Sequence, residues 1–153
     1  MANTFTQIHI QVIFAVKFRT ALIGHEWEDD LYRYITGIIQ NRNHKMLAIN
    51  GMPDHIHVFF GMRPDQSLSE LMQEIKIGSM NWINNSRYCK SKFYWQNGYS
   101  AFSYSKSHLG VVTKYIQNQK EHHRKKTFLE EYQMILEKFK IPYDERYIFK
   151  PLE

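Results

Sequence analysis

The sequence predicts an α+β domain of ferredoxin-like (RRM-like) form, a β-α-β-β-α-β antiparallel sheet with two extra C-terminal helices. Three patterns point there. The opening segment alternates apolar and polar residues, and two later stretches repeat apolar residues at helical spacing. Between those helices, two strand-like runs sit back to back around a Pro-Asp turn. In chain order, Ile8, Ile10, Val12, Phe14 and Val16 alternate with Gln7, His9, Gln11 and Lys17, the period of a strand with one buried face. Gly24 interrupts the chain, and Glu26, Glu28, Asp29 and Asp30 suit the positive start of a helix. That helix carries Trp27, Leu31, Ile35, Ile38 and Ile39 as its stripe and ends near Asn41 to Asn43.

Residues 45–51 and 55–62 read as strands joined by Met52-Pro53-Asp54. On the second strand Ile56, Val58 and Phe60 face one side, and His55, His57 and Phe59 the other. Ser67-Leu68-Ser69-Glu70 has the form of a capping box, opening a helix with Leu68, Leu71, Met72, Ile75 and Ile83 inward. A fourth strand lies in or after the aromatic segment from Phe93 to Phe102. Ser107 caps a third helix running through Tyr115 to about His123, with Leu109, Val112 and Ile116 as its buried stripe. A second capping box, Thr127-Phe128-Leu129-Glu130, opens a last helix with Tyr132, Ile135, Leu136 and Phe139 inward, stopped by Pro142.

Composition bounds the function. The chain has 153 residues, 43% of them hydrophobic and 15% aromatic, which suits one folded domain over residues 1–153 and excludes wholesale disorder. No apolar run approaches the roughly 20 residues of a membrane span, and the first residues lack the pattern of a signal peptide. The single cysteine, Cys89, excludes an internal disulfide framework and a multi-cysteine zinc site, so the expected setting is reducing and cytoplasmic. A net charge of +5 and a pI near 9.2 make a polyanionic partner plausible.

Four features could carry chemistry, and each has an ordinary reading beside it. His55 and His57 share one strand face, so both imidazoles can reach one metal ion; yet eight histidines supply roughly 0.4 His-x-His pairs by chance. Tyr115 and Gln119, four apart, project together from a helix, but an amphipathic tyrosine at a core edge looks the same. Lys114, Lys120, Arg124, Lys125 and Lys126 form a basic run that suits phosphates or simply solvent. The aromatics from Tyr88 to Tyr104 suit base stacking or, more simply, a core.

In combination these residues become specific. Pro53-Asp54-His55-Ile56-His57-Val58, Trp95-Gln96-Asn97-Gly98-Tyr99-Ser100-Ala101-Phe102-Ser103 and Tyr115-Ile116-Gln117-Asn118-Gln119-Lys120-Glu121-His122-His123 resemble the motifs of the single-tyrosine HUH transposases, the insertion-sequence-200-like group. Thr127-Phe128 and Glu130-Glu131-Tyr132 continue the pattern, and Ser100 departs from it where glycine is frequent. The resemblance implies that His55 and His57 bind a divalent metal, Mg²⁺ or Mn²⁺, that Gln119 completes the protein's share of the ligands, and that Tyr115 is the nucleophile. It implies cleavage and rejoining of single-stranded DNA at hairpin-bearing element ends through a 5′-phosphotyrosine link. It also implies a homodimer in a bacterial or archaeal cytoplasm, with the tyrosine helix of one subunit completing the other's site. The apolar first strand is one surface such a partner could pair with. Lys76, Lys120 and Arg124 are nominated for the DNA without a firm assignment. The rival reading is a ferredoxin-like module that binds single-stranded nucleic acid without cutting it, stacking bases on its central strands.

Overall fold

The structure is a computed structural model that describes residues 4–144, 146 and 148–153. Six elements follow the expected order: β1 (His9–Ala15), α1 (Glu28–Asn41), β2 (Lys45–Met52), β3 (His55–Gly61), α2 (Leu68–Ser86) and β4 (Ser100–Tyr104). The strands lie in the order β2-β3-β1-β4, every neighbouring pair antiparallel. β1 is therefore an inner strand, hydrogen-bonded on one side to β3 and on the other to β4. That corrects the idea that it pairs with a second chain: its backbone groups are already used, and the sheet's edges are β2 and β4.

Strand periodicity sorts the side chains into two layers. Val12, Phe14, Ile56, Val58 and Phe60 pack under Leu31, Ile35 and Ile39 of α1 and Leu71, Met72 and Ile75 of α2. The opposite face carries Gln11, His55, His57 and Phe59 and is covered by the C-terminal helices. These are α3 (Leu109–Gln117), α4 (Gln119–His122) and α5 (Phe128–Lys138). Val112 and Ile116 of α3 pack on Phe59 and Ala48, while Tyr132 and Leu136 of α5 pack on Ile13, Ala15 and Phe102.

Two expectations about this region need correction. Ser107 is not a helix cap. It lies inside a 3₁₀ turn (Lys106–His108) that precedes α3, its hydroxyl bonded to Ser105 Oγ at 2.9 Å. The helix expected to run to His123 breaks at Asn118, so Tyr115 lies in the last turn of one helix and Gln119 begins another. By contrast, Thr127 and Glu130 form the full reciprocal capping box that sets the start of α5. At α2 Ser67 caps the Glu70 amide at 3.1 Å.

The Trp-Gln-Asn-Gly segment is structural. Trp95 Nε1 donates to Ser79 Oγ at 3.0 Å, and Gln96 Nε2 donates to the carbonyls of Val16 and Lys150 at 3.0 and 2.8 Å. Gly98 holds φ +84°, where a side chain is strained, and its carbonyl accepts from Lys76 Nζ at 2.7 Å. Ser100 bonds the Tyr132 hydroxyl, tying β4 to α5.

The β2–β3 hairpin turns on Pro53 and Asp54, and its geometry requires glycine at position 51. A Cβ there would lie 2.2 Å from the carbonyl oxygen of His55, a backbone atom that cannot step aside. Gly51→Ala is expected to destabilise the protein by about 2–3 kcal/mol, read as a lower urea midpoint, because overpacking forces backbone shifts.

Candidate active site

β3 places His55 and His57 two residues apart on the sheet face beneath the C-terminal helices, and both are fully buried. α5 brings Glu131 down onto them. Its Oε1 lies 3.1 Å from His57 Nε2, 3.4 Å from His55 Nε2 and 3.0 Å from His123 Nε2. Its Oε2 accepts from Gln119 Nε2 at 2.9 Å and from the Tyr115 hydroxyl. One buried carboxylate thus gathers three imidazoles on one oxygen and the tyrosine and glutamine on the other.

The outer nitrogens of the two strand histidines are held differently. His55 Nδ1 lies 2.7 Å from Asp54 Oδ1, whereas His57 Nδ1 lies 2.9 Å from the amide nitrogen of Gln11. Phe128 stacks on the His55 ring at 4.0 Å, and His122 stacks on the Tyr115 ring at 4.4 Å. Lys120 fixes α4 to β2 and α1, donating to Gly51 O at 2.6 Å and to Glu28 Oε2 at 3.0 Å.

Electrostatics follow from burial and these contacts. Burial opposes the charge on Glu131, but hydrogen bonds from His123, His55 and His57 outweigh it and hold the carboxyl far below its usual range. Burial likewise opposes the imidazolium of His55, yet Asp54 and Glu131 raise its pKa above the ordinary value. Burial lowers the pKa of His57. Burial, then the charge of Glu131, pushes the Tyr115 phenol well above 10. Asp54 sits low because its bond to His55 overcomes burial.

A stability consequence follows. Glu131 and Asp54 have depressed native pKa values, so the unfolded chain binds more protons than the native one in acid. Their stabilisation is present above their ordinary values of 4.5 and 3.8 and is lost as pH falls below them. The expected result is a melting temperature that drops between pH 5 and 3, about in that range, with a shallower drop in Glu131→Gln.

The donor set fits a divalent cation. His55, His57 and Glu131 each offer one ligand atom, all within 4.8 Å of one another. An octahedral ion with bonds of about 2.1 Å separates adjacent donors by about 3 Å, close to the observed spacings from Glu131 to the two histidines. Gln119 stands beside them, its Oε1 3.3 Å from His55 Nε2.

All four residues singled out from sequence, Tyr115, His55, His57 and Gln119, therefore come together, and they do so within one chain. Sequence reasoning missed Glu131, His123 and Gln11. Glu131 stood in view as part of the Glu130-Glu131-Tyr132 run, four residues before the inward Ile135. It reads there as an acid favouring a helix start. Of the three residues nominated for DNA, Lys76 is bonded to the carbonyls of Gln96 and Gly98, Lys120 to Gly51 and Glu28, and the exposed Arg124 to Glu121 at 2.9 Å. A cleft of about 560 Å³ opens beside Tyr115, lined by Tyr104, Val111, His122, Met134 and the lysines 125 and 126.

Comparison with known proteins places the chain in a family and its fold among solved structures. The family described as "Transposase IS200 like" matches residues 4–119, a span that includes Tyr115 and Gln119 and stops short of Glu131. The chain is 23% identical over 118 residues to the ISDra2 transposase TnpA of Deinococcus radiodurans, covering 74% of this chain and 84% of that one. A putative transposase from the same organism superposes with a TM-score of 0.60 at 20% identity, covering 76% of this chain and 94% of the other. A REP-associated tyrosine transposase bound to a REP hairpin also gives a TM-score of 0.60, at 14% identity, over 79% of this chain and 72% of that one. Among the described residues, no helix is long and apolar enough to cross a membrane.

Proposed function

The chain belongs to the IS200-like transposase family, and from that premise we propose that it cleaves and rejoins single-stranded DNA through a covalent link to Tyr115. The observation that carries this reading is the convergence of His55, His57, Gln119 and Tyr115 on the two oxygens of Glu131. His55, His57 and Glu131 Oε1 would hold Mg²⁺ or Mn²⁺, with Gln119 adjacent; imidazole ligands favour Mn²⁺ at least equally. Such an ion would polarise a non-bridging phosphate oxygen and would offset part of what holds the Tyr115 phenol protonated, burial first and then the charge of Glu131.

The remaining steps belong to the chain's own residues. Glu131 Oε2, the oxygen it already donates to, orients Tyr115 Oη, which loses its proton to water as it attacks the phosphorus. The bond from phosphorus to the 3′ oxygen breaks, and that oxygen leaves as a hydroxyl after taking a proton from water. A 5′-phosphotyrosine ester remains, so a 3′-hydroxyl can later attack it and rejoin strands without ATP. The DNA is proposed to carry hairpins at element ends, as the REP-hairpin relative suggests. A homodimer is proposed with it.

The rival stacking module fares worse on one observation. Phe59, the aromatic of the central strand, is fully buried beneath Val112 and Ile116, so that face offers no open platform. The test is to incubate the protein and Mn²⁺ with labelled single strands from the DNA flanking its own gene. A protein–DNA band surviving denaturing electrophoresis supports cleavage. Tight binding with no adduct under Mg²⁺ or Mn²⁺ restores the module.

A further inference from the structure

The two strand histidines have unlike partners, and the difference has a chemical meaning. His55 has a carboxylate at Nδ1, 2.7 Å from Asp54. That partner can only accept, so Nδ1 keeps its proton and the Nε2 lone pair of neutral His55 is free for an ion. His57 is set the other way. The Gln11 amide nitrogen lies 2.9 Å from Nδ1, and an N–H there makes Nδ1 the acceptor. The proton of neutral His57 then sits on Nε2, which donates to Glu131 Oε1 at 3.1 Å. In that tautomer His57 has no lone pair to offer an ion.

Gln11 is built to serve either tautomer. It is buried on the inner strand β1, and its Oε1 accepts from the Tyr104 hydroxyl at 2.9 Å. Rotating the amide by half a turn exchanges its ends. The carbonyl then accepts from a protonated His57 Nδ1, and the amide N–H donates to the Tyr104 oxygen, which accepts as readily as it donates. Both arrangements satisfy every buried polar atom of the chain Tyr104–Gln11–His57. An Asp, a Glu or a backbone carbonyl at this point would serve only one.

We propose that Gln11 is a positioning residue for His57, a reversible amide that holds the imidazole as a donor to Glu131 in the ion-free protein and as a ligand once a divalent cation binds. The proposal rests on the reading of His55, His57 and Glu131 as a cation site, not on DNA cleavage. Its test therefore needs no DNA. Long-range ¹H–¹⁵N correlations of the imidazoles report which nitrogen carries the proton, with and without saturating Mg²⁺. Calorimetry with Mn²⁺ reports affinity.

In the ion-free protein His57 is expected to carry its proton on Nε2, and Mg²⁺ moves it to Nδ1. Gln11→Leu, which removes both polar ends, lowers Mn²⁺ affinity about 10- to 100-fold, the usual effect of losing a ligand's hydrogen-bond partner. Gln11→Glu keeps the acceptor, restores Mn²⁺ binding, and fixes the proton on Nδ1 even without an ion. A merely structural role would not move the proton between nitrogens. The proposal is overturned by a His57 that already carries Nδ1–H in the ion-free protein, or by a folded Gln11→Leu with unchanged Mn²⁺ affinity. If Gln11→Leu does not fold, Gln11→Glu decides alone: an Nε2–H tautomer in that ion-free variant also refutes it. A wild-type protein that takes up no Mn²⁺ removes the cation site and this role together, whereas a failed cleavage assay leaves all these readings in place.

Discussion

Tyr115→Phe is expected to abolish the covalent protein–DNA adduct, a loss on the order of 10⁴-fold or more, because the variant lacks the oxygen that forms the bond to phosphorus. The ring stays where it is: half-buried, stacked on His122 and edge-on to His57. Only one of the donors around Glu131 is removed, so stability should change by about 1 kcal/mol. Mn²⁺ affinity should be nearly unaltered. Quantifying denaturation-resistant adduct, melting temperature and Mn²⁺ binding on the same sample separates chemistry from folding. An adduct persisting in Tyr115→Phe would place the nucleophile elsewhere and withdraw the assignment.

The second large effect is expected at Glu131. Glu131→Ala leaves buried groups of His55, His57, His123 and Gln119 facing an empty space, and the ion-free protein should lose about 3–5 kcal/mol, as when one partner of a buried charge network is deleted. Glu131→Gln keeps the shape but removes the charge, and it should weaken Mn²⁺ binding roughly 100-fold, since ligand charge governs divalent affinity. Gln119→Ala is the informative comparison. Its Nε2 donates to Glu131 while its Oε1 merely approaches His55, so a loss of only about 10-fold is expected, that of a supporting residue. If calorimetry instead finds the larger loss at Gln119, the third protein ligand is the glutamine that family resemblance implies, and Glu131 is its orienting partner.

The sheet and its first helices were legible because strand and helix periods are local. Ile56, Val58 and Phe60 against His55, His57 and Phe59 sorted correctly onto two faces from alternation alone. The histidine pair was visible for the same reason. What lay beyond the sequence is what distant segments bring together. Glu131 lies 74 residues from His57, and its local signal was that of any acid in a first helical turn. Gln11 read as the polar half of an alternating strand, and only the third layer over that face made it buried. The break at Asn118 was missed because apolar spacing continues smoothly through α3, and the local hydrogen bonding that ends it leaves no mark in that pattern.

The capping box at the start of α5 has a consequence for how this chain can vary in length. Thr127 and Glu130 lock the helix's first turn, and with it the azimuth at which the next residue leaves the axis. Each residue advances that azimuth by roughly 100°. Glu131 therefore meets the strand histidines only at a fixed count from Thr127, as a cam follows its keyway. One residue inserted between Glu130 and Glu131 would turn the carboxylate away by more than a quarter revolution while leaving the capping box itself intact. The stretch from Arg124 to Lys126 carries no such index, so length changes there shift α5 bodily and leave its rotational setting to the same lock.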